Sequence, residues 1–280
     1  MTGLIQPVLR GDALLAGVRA LREAPGVRLW WLGQSGFLVQ AGGRHLLIDP
    51  YLSDSLTKKY AATDKPHVRM TELVIDPAKL DFIAVATSSH NHTDHLDAET
   101  LGPLRAANPG LSFVIPEANR PFVAGRLGSP PEWPVGLNDG ESAEVGGFRF
   151  HAVPAAHEQV DRDASGRCLY LGYVIETQGL RIYHSGDCML YDGIVDSVAP
   201  FAVDLALLPI NGSAPERRVA GNFNGREAAW LAREIGAKLA VPMHYDMFTF
   251  NTASPDEFVA EAGRLGVRTR VLRAGERLEL

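Results

Sequence analysis

The sequence predicts an α/β protein in which sheets pack between layers of helix. Three observations carry this reading. Short apolar runs alternate with segments of helical periodicity, 46% of the 280 residues are hydrophobic, and clusters of metal-ligating side chains stand where apolar runs end. A chain of this length and composition can bury a large core. The nearest thing to a linker is Gly128-Ser129-Pro130-Pro131-Glu132-Trp133-Pro134, which reads as a surface loop. Residues 1–280 are therefore expected to form a single domain, without internal repeats or low-complexity tracts.

Taken in order, Ala13, Leu14, Leu15, Val18 and Leu21 share one face of a helix over 12–23 laid on the body of the protein. Apolar and β-branched runs give strands over 28–32, 37–40, 44–49, 82–87 and 112–115. Asp97 is a plausible N-cap for a helix over 98–107. Strands follow over 144–152, 171–176, 180–184, 205–209, 238–242 and 268–271. Asn224 caps a helix over 226–235, and Ser254 starts another over 255–265 with Pro255 at its first position.

The chemistry is concentrated in His90-Asn91-His92-Thr93-Asp94-His95, which holds three of only nine histidines. Imidazole and carboxylate together form a ligand set for zinc, manganese or iron. In an extended chain His90 and His92, two residues apart, project to one side and can share an ion. Asp94 and His95 fall where the chain turns toward the 98–107 helix and can serve a neighbouring ion. Further ligands stand past later strands. His157 completes a set with His90 and His92, and His244 one with Asp94 and His95, while Asp187 has two oxygens with which to bridge both ions. His184 is expected to act beside Asp187 as a supporting residue or general acid. His151, His45 and His67 are expected to be packed or surface histidines. Cys188 should point away from the metals, and Cys168 reads as a packed small residue.

These residues resemble the metallo-β-lactamase superfamily, whose HxHxDH signature stands at residues 90–95, followed by a lone His, a Gly-Asp turn and a final His. Trp30-Trp31-Leu32-Gly33-Gln34-Ser35-Gly36, Tyr183-His184-Ser185-Gly186-Asp187 and Val241-Pro242-Met243-His244-Tyr245-Asp246 resemble the ascorbate-6-phosphate lactonase-like branch. Gln34-Ser35, His157 and Tyr245 depart from that branch, where Cys-Thr, Asp and His are expected. The resemblance implies a four-layer αββα sandwich, an Asp49 that supports the ligand loop, and two divalent ions, zinc or manganese with iron a third choice. Two such ions about 4 Å apart would make a bridging hydroxide available near neutral pH, with Asp94 and Asp187 able to take its proton. The implied reaction is hydrolysis of a small lactone or ester, phosphorylated or not; a phosphodiesterase and a non-hydrolytic metal-binding module are the alternatives. No GxSxG elbow offers a covalent route, and Ser35 reads as a turn residue.

A net charge of −6 argues against nucleic acid as a partner. Charged residues interrupt the N-terminal apolar positions, so neither an export signal nor a membrane span is expected. Two cysteines without a CxxC fit a reducing cytoplasm. The expected partner is a small-molecule substrate, and a homo-oligomer stays open. Two long segments, 51–76 and 211–225, are candidate specificity walls. Arg69 in the first and Arg217 and Arg218 in the second are expected to face substrate, since a guanidinium suits a phosphate group.

Overall fold

The first sheet opens with a three-stranded meander, β1 (Val27–Gly33), β2 (Gly36–Ala41) and β3 (Arg44–Ile48). It continues in parallel through β4 (Val85–Thr87), β5 (Ser112–Pro116) and β6 (Val135–Leu137). Strands β7 (Ser142–Val145), β8 (Phe148–Pro154), β9 (Leu171–Thr177) and β10 (Leu180–His184) form an antiparallel meander in the second sheet, extended in parallel by β11 (Leu205–Pro209) and β12 (Leu239–Met243). The C-terminal β13 (Arg277–Glu279) crosses back to the free side of β1. This is a computed structural model that describes residues 3–280.

Alternation along β1 to β3 explains the layering. Leu29, Trp31, Phe37, Val39, Leu46 and Ile48 join the core shared with the second sheet, while Trp30, Leu32, Leu38 and Leu47 join another core. That outer core is closed by α1 (Gly11–Ala20) through Leu14, Leu15 and Val18, and by α3 (Ala98–Ala107) through Leu101 and Leu104, after the short α2 (Ser55–Tyr60). Helix α4 (Arg120–Leu127) adds Val123. On the far side, beyond α5 (Ile194–Val198), helices α6 (Gly225–Glu234) and α7 (Asp256–Leu265) lay Ala228, Leu231, Phe258 and Ala262 on the second sheet. Strands buried on both faces favour consecutive apolar positions, as in β11 and in Leu29–Leu32 of β1 and Phe37–Val39 of β2, whose Arg28 and Gln40 are the buried polar exceptions. The expected αββα arrangement is present.

Caps fall where the side chains predict. Asp97 accepts from the Glu99 N–H, and Asn224 forms a capping box with Glu227. Four expectations are corrected. The strand expected over 144–152 is two, β7 and β8, because Gly146 and Gly147 take φ of 60° and 85° and fold the chain into a hairpin. The strand expected over 268–271 is only a bridge between Thr269 and Ala240. Pro255 is the N-cap of α7, not its first turn, and only residues 85–87 of the run 82–87 pair as strand.

His45 is a packed core histidine whose Nδ1 has no hydrogen-bond partner. Gln40 Nε2 donates to its Nε2 over 2.9 Å, Phe82 packs edge-on at 4.6 Å, and burial followed by nearby Arg22 lowers its pKa to about 4. Between about pH 6.5 and 4 the unfolded chain takes up a proton there that the native chain refuses, so stability falls as pH falls through that window. Denaturant midpoints at pH 7.5 and 5 should differ less in His45→Phe than in the unaltered protein.

Candidate metal centre

Every metal-ligand candidate lies past the C-terminal end of a strand, and all these ends meet at one rim of the sandwich. Strand β4 leads to His90, His92, Asp94 and His95; β8 to His157; β10 to Asp187; β12 to His244. They assemble into two groups. His90, His92 and His157 form one, and Asp94, His95, Asp187 and His244 the other, with ligand atoms within 4.8 Å of one another in each group.

The geometry fits cations held between these atoms. His157 Nε2 lies 3.1 Å from His92 Nδ1. Asp187 Oδ1 lies 3.2 Å from His95 Nε2, and its Oδ2 lies 3.4 Å from His244 Nε2 and 3.6 Å from His157 Nε2. Ligand atoms about 2.0–2.1 Å from a tetrahedral ion stand about 3.3 Å apart, so these separations are those of coordination edges. His90 Nε2, His95 Nε2 and Asp187 Oδ1 are buried without a hydrogen-bond partner. Buried polar atoms are rarely left so, and three in one place is the arrangement a metal resolves.

The other ring nitrogens are tied down. His95 Nδ1 donates to Asp49 Oδ2 over 2.8 Å, and His157 Nδ1 donates to the Gly221 carbonyl over 2.7 Å. His90 Nδ1 is 3.0 Å from the Ser89 hydroxyl. These bonds leave the Nε2 of all three rings as the metal-facing atom. Asp49, fully buried at the end of β3, also accepts from Ser89 N–H and the Thr87 hydroxyl, so it braces the ligand loop from beneath. Backbone conformation concentrates here as well. Asp49, Gln34 and His244 have φ of 39°, 50° and 66°, unusual for residues with a Cβ and typical of functional loops.

The electrostatics divide the two groups. Burial, then the neighbouring imidazoles, lower His92 to about 4 and hold His90 well below its ordinary value, which leaves both neutral with lone pairs to offer. In the other group burial is outweighed by charge. Asp187 and Asp94 raise His244 to about 9 and lift His95, while those histidines hold both carboxylates below their usual range.

Three sequence expectations change. His184 is completely buried, its Nδ1 accepts from the Gly186 N–H over 3.1 Å, and its Nε2 donates to the Ser35 carbonyl over 2.9 Å. With both nitrogens occupied and no exposure to the cavity, it is placed to position the Gly186-Asp187 turn, not to act as a general acid. His184→Ala should lower turnover about tenfold while metal analysis still finds two equivalents at saturating metal; loss of a full equivalent would refute this. Arg69 does not face the cavity. Its guanidinium donates to Ser53 O, Asp54 Oδ1 and Thr71 O, fastening the 51–76 segment to itself. Arg217 is likewise spent on Asn251 Oδ1 and Asn211 O. Arg218 alone of the three lines the cavity, paired with Asp64.

Gln34 escaped the sequence reading. Its Nε2 donates to Asp94 Oδ2 over 2.8 Å and lies 2.9 Å from His244 Nε2. The available signal was its place in a Gly-Gln-Ser-Gly turn between two buried strands, at the point where the chain departs from the lactonase-like pattern. Cys188 turns away from the ligands, its Sγ accepting from Ala156 N–H over 3.4 Å, and burial pushes its thiol up to about 12.

The two groups open into a cavity of about 500 Å3 walled by the 51–76 and 211–225 segments. Its lining includes Tyr60, His67, Phe248 and Phe250, with His67 stacked on Tyr60 at 4.4 Å. No described helix is long and apolar enough to cross a membrane.

Comparison with known proteins agrees with this geometry. Residues 44–245 match the beta-lactamase superfamily domain. A UPF0173 metal-dependent hydrolase of Rubrobacter xylanophilus is 32% identical over 262 residues, covering 90% of this chain and 96% of that protein. Among solved structures, Igni18, a metallo hydrolase from Ignicoccus hospitalis, is 24% identical with a TM-score of 0.65, covering 91% of this chain and 98% of its own. The isothiocyanate hydrolase from Delia radicum gut bacteria is 18% identical with a TM-score of 0.70, covering 90% and 99%. These two show a shared fold. With ligand groups gathered at the strand ends and a match spanning most of its length, the chain belongs to the UPF0173 metal-dependent hydrolases of the metallo-β-lactamase superfamily.

Proposed function

We propose that the protein is a binuclear hydrolase of small lactones or esters, in keeping with its resemblance to the ascorbate-6-phosphate lactonase-like branch. The observation that carries this reading is Asp187, whose two oxygens approach ligands of both groups at the floor of an accessible cavity. Two divalent cations, zinc or manganese by ligand type, would supply hydroxide at neutral pH and polarise the bond under attack. His90, His92 and His157 would hold one, and Asp94, His95 and His244 the other. Asp94 and Asp187 offset cationic charge and can accept the proton released as water is consumed. Asp49, Ser89 and His184 keep the loops in register, and the aromatic wall excludes water from the bound substrate. The partner is then a small molecule, neither nucleic acid nor membrane. The two free cysteines, Cys168 and Cys188, support a cytoplasmic location.

The test is a panel of lactones and simple esters beside bis(p-nitrophenyl) phosphate, assayed with metal-loaded protein. Hydrolysis of lactones or carboxylic esters is expected. Turnover of the diester alone would replace this reading with a phosphodiesterase.

A further inference from the structure

The cavity is strongly biased in charge. Apart from Asp94 and Asp187, every charged residue that lines it is basic, namely Lys59, Lys65, Arg126 and Arg218, in a chain of net charge −6. The four are not equivalent. Arg218 is neutralised by Asp64, and the Lys65 ammonium donates to the Arg218 carbonyl at the outer rim. Lys59 and Arg126 lie against the ligand loop itself. Lys59 Nζ donates to Thr93 Oγ1 over 3.3 Å, and Arg126 Nη1 donates to Asn91 O over 2.6 Å and Leu96 O over 3.3 Å. All three acceptors are uncharged, and among the described residues neither cation has a carboxylate within salt-bridge distance, although the Asp97 carboxylate acts on Arg126 from further away. Each is also steadied by a ring, Lys59 at 5.1 Å from Tyr60 and Arg126 at 4.4 Å from Phe122. Arg126 spends one arm of its fork on loop carbonyls and retains the Nη2 arm for a ligand.

We infer that Lys59 and Arg126 form an anion-binding subsite on the metal-ligand loop, which takes a carboxylate or phosphate substituent of the substrate and seats its scissile bond over the metals. The inference rests on the hydrolase reading and narrows it to anionic lactones or esters. Asn91 and Thr93, the loop positions that do not ligate, are the ones these cations touch, so the loop couples substituent recognition to the placement of His92 and Asp94. Two unpaired cations in a concave, partly apolar wall raise the local concentration of an anion and orient it.

The metal-loaded protein and the variants Lys59→Met, Arg126→Gln and their combination are titrated calorimetrically with inorganic phosphate and, separately, with succinate. Each single variant should weaken binding about tenfold and the double variant about 50-fold or more, with metal content unchanged. The anion whose binding the variants weaken more identifies the substituent. Because Arg126 also anchors loop carbonyls, Lys59→Met supplies the independent reading, since its side chain bonds only Thr93. A double variant with full metal that binds both anions within twofold of the unaltered protein overturns the subsite. In a second arm, the ratio of kcat/KM for matched anionic and neutral esters should fall at least tenfold in Lys59→Met; an unchanged ratio also overturns it. If the metal-loaded protein hydrolyses no ester, the hydrolase reading fails while the titrations still decide the subsite.

Discussion

Asp187→Ala is expected to remove at least one of two metal equivalents and to lower hydrolysis about 1000-fold or more. Asp187 stands on the turn after β10 and is almost fully buried, with Oδ1 directed to His95 and Oδ2 to His244 and His157. Removing it takes both oxygens from the group of Asp94, His95 and His244 and the one oxygen that also faces His157, and leaves three buried imidazoles facing a gap. Metals held there would account for several kcal/mol of transition-state stabilisation, and each 1.36 kcal/mol is tenfold in rate. Metal analysis after reconstitution and turnover on the best ester check the prediction together. Asp187→Asn keeps the shape but loses the charge, so it should fall between the two. Full stoichiometry and near-normal turnover in Asp187→Ala would remove the bridging role.

The neighbouring glycine should matter as much by a different route. Gly186 has φ of 63°, and a Cβ there would stand 2.7 Å from Ser89 Cβ, 2.9 Å from Ser89 Oγ and 3.1 Å from Leu171 O. Ser89 is the residue whose N–H holds Asp49 and whose hydroxyl meets His90. Gly186→Ala therefore combines left-handed strain with a collision against the brace of the ligand loop. The expected cost is about 2–4 kcal/mol of stability, together with a 10- to 100-fold loss of metal affinity. Gly179→Ala is the comparison, because Gly179 has φ of 76° with nothing within 4 Å of the added carbon. It should show the strain alone, at about 1 kcal/mol, and normal metal binding. Denaturant unfolding of the metal-free variants and metal titration separate the two effects; equal losses in both would mean that the Ser89 contact contributes nothing.

The side chains that gather into the two candidate ligand groups were legible because their chemistry is local. Three histidines and an aspartate in six residues announce a ligand loop, and an apolar run before each ligand places it at a strand end. The central strands were legible for a related reason, since burial on both faces forces unbroken apolar runs such as Leu205–Pro209. Elements of three residues, β6 and β13, carry too little pattern to be seen. The hairpin at Gly146-Gly147 was signalled by the glycine pair but masked by apolar alternation running through it.

The cations mark where sequence reasoning stops. Arg69, Arg217, Lys59 and Arg126 are alike in composition terms, yet two are consumed by backbone carbonyls and Asn or Asp oxygens away from the cavity, and two line it. Which cation finds an internal acceptor depends on loop packing between segments far apart in the chain. Arg126 lies on a helix, α4, with no strong apolar stripe to reveal it. His184 shows the same limit, because only the turn geometry after β10 decides that both its nitrogens meet backbone.

The central claim is that separated segments converge to hold two cations, and one measurement reaches it directly. Protein stripped by exhaustive chelation and reloaded with zinc or manganese should bind two equivalents per chain. Anomalous diffraction from crystals of the reloaded protein should place one ion among His90, His92 and His157 and the other among Asp94, His95 and His244, with Asp187 touching both. Reloaded protein that binds no metal at these residues, or chelated protein that retains full hydrolytic activity, would contradict the account.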